Sequence, residues 1–124
     1  MVEQTTPCLE TPVAHGDAEG ARLAVLRLLE QRPDISQREL SDALGLSLGR
    51  AHYVLHALLD KGMVKARNFR RSDNKLAYAY VLTPNGVREK IRLTRAFLRR
   101  KEGEFERLRH TISVLRGELL EEEP

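Results

Sequence analysis

The chain has one cysteine, no tryptophan and only 5% aromatic residues among its 124. A single thiol, Cys8, excludes an internal disulfide framework. The scarcity of large rings points to a core of Leu, Val and Ala on packed helices instead of a sheet sandwich. No apolar run approaches the roughly 18 residues that a membrane-crossing helix needs. The N-terminus MVEQTTPCLE lacks both the basic start and the apolar segment of a secretory leader, so a cytoplasmic protein is expected. Chemistry-bearing motifs are missing as well: there is no glycine-rich phosphate loop, no paired-carboxylate signature and no Cys/His array. No catalytic residue, cofactor or metal site is therefore expected.

Among the residues present, 41% are apolar and 31% charged, which suits one ordinary globular domain. The net charge of +3 hides an uneven distribution. Between Arg50 and Lys75, seven cations (Arg50, Lys61, Lys65, Arg67, Arg70, Arg71, Lys75) face only Asp60 and Asp73, while the chain ends on EEEP. A local surplus of that kind suits a polyanionic partner.

Residues 1–16 contain Pro7, Pro12 and three Thr without apolar periodicity, and are expected to be a flexible arm. Cys8 sits in that arm, away from the electropositive, positioned setting a reactive thiol needs. Asp17 can cap a first helix whose Ala21, Val25, Leu28 and Leu29, with Leu26 beside them, recur at helical spacing until Pro33. Ser36 and Glu39 then stand at capping-box spacing, with Ile35 and Leu40 placed as a hydrophobic staple. Gly45 fits the left-handed stop of this second helix, and Ser47 can cap a third.

On the third helix Ala51, Val54, Leu55, Leu58 and Leu59 form an apolar stripe. Gly49, Arg50, Tyr53 and His56, with His52 near the edge, are left facing outward. Gly62 can end the helix. Two β-prone runs, Val64 to Phe69 and Leu76 to Leu82, follow around RRSDNK and read as a hairpin with a basic tip. Thr83 and Pro84 start a last helix expected to reach about residue 120. Within it Ile91, Leu98, Phe105, Ile112 and Leu119 recur by sevens, and Leu108 and Leu115 add the second seam position.

Two helices joined by a tight turn place the second in the DNA major groove, which admits one helix. Ser47, Gly49, Arg50, His52, Tyr53 and His56 are then the expected base readers, with Gly49 permitting close backbone approach. Amides near Ser36, Gln37 and Ser47 suit phosphate oxygens, and Arg70, Arg71 and Lys75 suit the adjacent backbone or the minor groove. His52 and His56, at i and i+4, have a spacing that can hold a metal ion, but no further ligand motif accompanies them, and DNA contact is the preferred reading.

Residues 35–108, from SQRELSDALGLSLGRAHYVLHALLDKGMVKARNF through KLAYAYVLTPNGVREKIRLTRAFLRRKEGEFERL, resemble the MarR-type winged-helix transcriptional regulators, and within them the subgroup associated with exopolysaccharide gene clusters. The resemblance implies a homodimer bound to double-stranded DNA at a partly palindromic operator. It further implies that a helix of residues 84–120 forms much of the dimer interface, and that exopolysaccharide biosynthesis genes are the regulated set. Broad-family members often carry Asp and Arg two residues apart in the wing; here Asp73 and Lys75 hold those places, so a guanidinium fork is replaced by a point charge. Many relatives bind small phenolic or lipophilic effectors, but no cluster of pocket-type aromatics is evident, and no effector is expected.

The expected fold is mainly α: a winged helix-turn-helix, built as a three-helix lobe plus β-hairpin wing, followed by a long C-terminal dimerisation helix. The expected organisation is an arm at 1–16, a DNA-binding domain at 17–83, the dimerisation helix at 84–120 and an acidic tail at 121–124. Two alternatives stand beside this reading. A winged helix can serve as a protein-interaction adapter, and the seam can pack on its own lobe instead of a second copy. The spacing leaves parallel and antiparallel pairing both open.

Overall fold

A computed structural model describes residues 18–70 and 72–122. Three helices and a hairpin precede one long helix: α1 (Ala18–Gln31), α2 (Gln37–Leu44), α3 (Leu48–Asp60), β1 (Val64–Arg70), β2 (Leu76–Leu82) and α4 (Pro84–Glu122). This is the winged helix-turn-helix architecture expected from the sequence. The arm at 1–16 with Cys8, the capping Asp17, Arg71 and the last two residues of the acidic tail lie outside the described residues. The chain divides into two compact units, one ending at Leu93 and one beginning at Thr94.

In the first unit α1 is the central helix, packed on α2, α3 and β2. Its Ala21, Leu23, Ala24, Val25, Leu26 and Leu29 are all buried. Leu28, which the spacing grouped with the stripe, is only half-buried, whereas Leu23 and Ala24 are covered. A helix flanked on several sides buries more than one stripe, so a single-stripe count underestimates it. The helix closes where the Arg32 N–H reaches the Leu28 carbonyl at 2.8 Å, since Pro33 offers no N–H to continue. The Pro33 carbonyl then accepts the Tyr80 N–H at 2.9 Å, which fastens β2 to the end of α1.

The start of α2 satisfies its orphan amides reciprocally. Ser36 Oγ accepts the Glu39 N–H at 3.1 Å, and Glu39 Oε1 accepts the Ser36 N–H at 3.0 Å. Ile35 and Leu40 are buried around this box as a staple. Gly45 ends the helix at φ +66°, in the left-handed region that glycine enters without a Cβ penalty. The Ser41 hydroxyl donates to the Leu46 carbonyl at 2.8 Å and holds the turn shut. Ser47 Oγ then accepts the Arg50 N–H at 3.0 Å, and α3 begins.

The hairpin pairs antiparallel from Val64 with Leu82 to Arg70 with Leu76. At its tip Asp73 Oδ1 accepts the Lys75 N–H at 3.1 Å, and Asn74 takes φ +66°. Short polar side chains tolerate that region and form such local bonds. Thus Asp73, one half of the pair noted in the wing sequence, shapes the turn through the backbone of the other half.

One junction secures the base of the hairpin and the start of α4. The Thr83 hydroxyl donates to the Gly62 carbonyl and accepts the Gly86 N–H at 3.1 Å, while the Thr83 N–H meets the Met63 carbonyl at 3.0 Å. Gly86 lies so close that an added Cβ would sit 2.0 Å from the Met63 carbonyl oxygen. Farther along, Leu93 is buried, Lys90 pairs with Glu30, and Arg92 grips Glu89 through two bonds of 2.9 Å. That bidentate hydrogen bond, with the Arg92 charge behind it, holds the Glu89 carboxyl below its ordinary range. Such surface pairs align the helix but add little stability each.

In the second unit α4 continues as helix through Gly103 and Gly117. Lys101 and Glu104 pair at 2.9 Å. Leu98, Phe105, Leu108, Ile112, Leu115 and Leu119 are all exposed, Phe105 by 57%.

The two glycines of α4 should respond oppositely to a methyl group. Gly86→Ala drives a Cβ into backbone and should cost about 2 kcal/mol or more. Gly117→Ala meets nothing within 4 Å and should be neutral or stabilise by up to about 1 kcal/mol. Urea denaturation of both variants checks the ordering; equal stabilities would contradict the Met63 contact.

Candidate nucleic-acid interface

Burial of one face of α3 determines what the other presents. Ala51, Val54, Leu55 and Leu58 are buried, with Ala51, Leu55 and Leu58 fully enclosed, and Leu59 is half-buried. The opposite face carries Gly49, His52, Tyr53 and His56, all exposed, with Arg50 half-exposed beside them. Tyr53 is 71% exposed and presents its ring and hydroxyl outward. The sequence-expected readers therefore share one helix face.

The start of α2 lies against this face. His52 Nδ1 and Gln37 Oε1 are 2.9 Å apart, fifteen residues distant in sequence. The His56 ring rests on that of His52, with centroids 4.0 Å apart and planes tilted by 37°. Gln37, expected only as a helix-start amide, thus also touches a reader through its side chain. The helix starts at Ser36 and Ser47 combine amide donors with the positive end of a helix dipole, which favours anions.

The hairpin contributes charge from a separate part of the unit. Lys65 and Arg67 are exposed at alternate positions on one face of β1, as the two-residue period of a strand requires. Arg70 Nη1 donates to the Asn74 carbonyl at 3.3 Å, so this side chain braces the turn, while Lys75 is exposed beyond it. Arg71, the third cation expected at the tip, lies outside the described residues.

Two exposed residues were not expected. Leu48, the first residue of α3, is 44% exposed. Its spacing to Ala51 and Leu55 assigns it to the buried stripe, so no sequence signal distinguishes it; an exposed apolar group at this end suits a thymine methyl. Arg38 is exposed in the first turn of α2, beside the expected phosphate-binding amides; its position next to Ser36 was the available signal. Among the described residues no group of three or more His, Cys, Asp or Glu is placed to hold a metal ion, and no helix is long and apolar enough to cross a membrane.

Comparison with known proteins agrees with this geometry. The profile of the winged helix-turn-helix DNA-binding family matches residues 20–65. No curated protein matches the chain. Among solved structures, the PcaV transcriptional regulator of Streptomyces coelicolor is similar with a TM-score of 0.54 at 20% identity, covering 92% of this chain and 91% of its own. A variant of MepR from Staphylococcus aureus, solved bound to an oligodeoxyribonucleotide, is similar with a TM-score of 0.53 at 15% identity, covering 94% and 88%. MarR of Staphylococcus aureus, solved with salicylate and kanamycin, reaches 0.52 at 17% identity, covering 83% and 74%. At these identities the likeness shows a shared fold.

The two serine caps position the face just described, and each should be measurable alone. Ser36→Ala and Ser47→Ala should each lower stability by about 1 kcal/mol, and Ser47→Asp should recover most of the second loss. Chemical denaturation that finds neither cap worth more than about 0.3 kcal/mol would contradict their roles.

Proposed function

We propose that the chain is a sequence-specific, DNA-binding transcriptional regulator of the MarR type, acting in the cytoplasm as a homodimer on a palindromic operator. The observation that carries the reading is the outward face of α3, with His52, Tyr53 and His56 exposed and Arg50 half-exposed, held in a winged helix-turn-helix whose hairpin bears Lys65, Arg67, Arg70 and Lys75. In this reading residues 17–83 are the DNA-binding domain. Arg50, with its planar fork, contacts guanine; Tyr53 and His56 contact base edges or thymine methyls. Backbone amides near Ser36, Gln37 and Ser47 hold phosphates, and Gly49 brings the backbone close. Arg70, Arg71 and Lys75 contact the adjacent backbone.

Residues 84–120 form the dimerisation helix. Its support is the row of Ile91, Leu98, Phe105, Leu108, Ile112, Leu115 and Leu119, which are exposed in the single chain. An apolar row of this length on a water-soluble chain marks an interaction surface. A heptad row fits a second copy of itself. The resemblance of residues 35–108 to the exopolysaccharide-associated subgroup supports exopolysaccharide biosynthesis genes as the regulated set.

Salt titration on duplex DNA tests the function. Affinity should fall by about 0.9 log units per log of salt for each phosphate neutralised, and a flat response would sink the DNA reading in favour of a protein-docking role. The dimer has its own test. Leu108→Glu combined with Ile112→Glu should give monomers in light scattering; a persistent dimer would place the interface elsewhere.

A further inference from the structure

We propose that Gln37 is a positioning residue that fixes the tautomer of His52, and thereby makes His52 a reader of the exocyclic amines of adenine or cytosine. The inference deepens the proposed DNA reading and rests on it. A neutral imidazole has one proton to place on two nitrogens, and the nitrogen left bare accepts where the other donates. At 2.9 Å from Gln37 Oε1, His52 Nδ1 faces an oxygen that can only accept. With that oxygen as its partner the proton is assigned to Nδ1, and Nε2 carries the lone pair. His52 is exposed beside Tyr53 on the outward side of α3, and in the proposed docking its Nε2 lone pair is what the ring offers to the groove.

The neighbouring groups restrict the ring as well. His56 lies with its centroid 4.0 Å from that of His52, which limits rotation about the side chain. Gln37 is the first residue of α2, directly after the Ser36 cap. Its amide nitrogen carries two N–H donors, which suit a phosphate oxygen at that helix start. One side chain thus links a register contact on the backbone to the polarity of a base reader.

In the major groove an acceptor is complementary to N6 of adenine and N4 of cytosine, whereas a donor is complementary to O6 of guanine, O4 of thymine and N7 of either purine. An Nδ1-protonated His52 favours amino bases over keto bases at one position of each half-site. Reversing the proton turns the preference toward guanine, which offers two acceptors, and against cytosine, which offers none. Gln37→Lys places a donor opposite Nδ1, so the imidazole proton moves to Nε2 and the ring becomes a donor to the groove. Gln37→Glu keeps an acceptor there and should keep the original preference.

The test is selection of binding sites from random duplexes by the full-length chain and by the Gln37→Lys, Gln37→Glu and His52→Ala variants. It is run at pH 8, above the range in which imidazoles ordinarily titrate, with circular dichroism confirming that each variant is folded. The wild type should favour adenine or cytosine over guanine or thymine at one column by about fivefold or more, the low end of what one base-edge contact discriminates. Gln37→Lys should move that column alone toward guanine and away from cytosine, Gln37→Glu should retain it, and His52→Ala should flatten it. A column that Gln37→Lys leaves unchanged overturns the inference while the enriched motif preserves the DNA reading. Absence of any enriched motif for the wild type overturns both.

Discussion

The proposed DNA reading depends on the burial of one stripe of α3. Ala51, Leu55 and Leu58 are enclosed, and Val54 nearly so. A helix turns by about 100° per residue, so fixing those four positions fixes the opposite face with no remaining rotational freedom. Arg50, His52, Tyr53 and His56 are outward for that reason. The turn before α3 transmits the constraint: Gly45 at φ +66° and the Ser47 cap set where the helix begins, and hence which residues occupy its first two turns.

Local signals made the helix-turn-helix legible in the sequence. Ser36 with Glu39, Gly45 and Ser47 act within a few residues of themselves, and each does in the structure what its type and spacing dictate. The hairpin was legible from β-prone runs around a polar tip, down to a second strand at Leu76–Leu82. The long helix was legible from Thr83 and Pro84 at its start. These features share one property: the interaction that fixes them is short in sequence.

What escaped the sequence is tertiary. The central position of α1 buries Leu23 and Ala24 while leaving Leu28 half-covered, because three neighbours surround it and a one-stripe count presumes a single covered side. Gly86 reads as an indifferent helix residue until the Met63 carbonyl is found against it. The Gln37 contact with His52 joins side chains fifteen residues apart, and no pattern in either segment announces it. Leu48 shows the reverse failure, since its spacing is that of a core residue and only the packed lobe leaves it outside. The candidate site is therefore readable as a list of residues on a face, whereas their mutual positioning comes from packing.

The central claim is that the outward face of α3 lies in the major groove at two matched half-sites. Methylation protection tests this directly, because dimethyl sulfate attacks guanine N7 in the major groove. With a duplex selected by the protein, the account predicts two symmetric clusters of protected guanines whose centres lie about one helical turn, or a whole multiple of it, apart. Tight binding that leaves every guanine N7 reactive, or protects a single unpaired cluster, would contradict it.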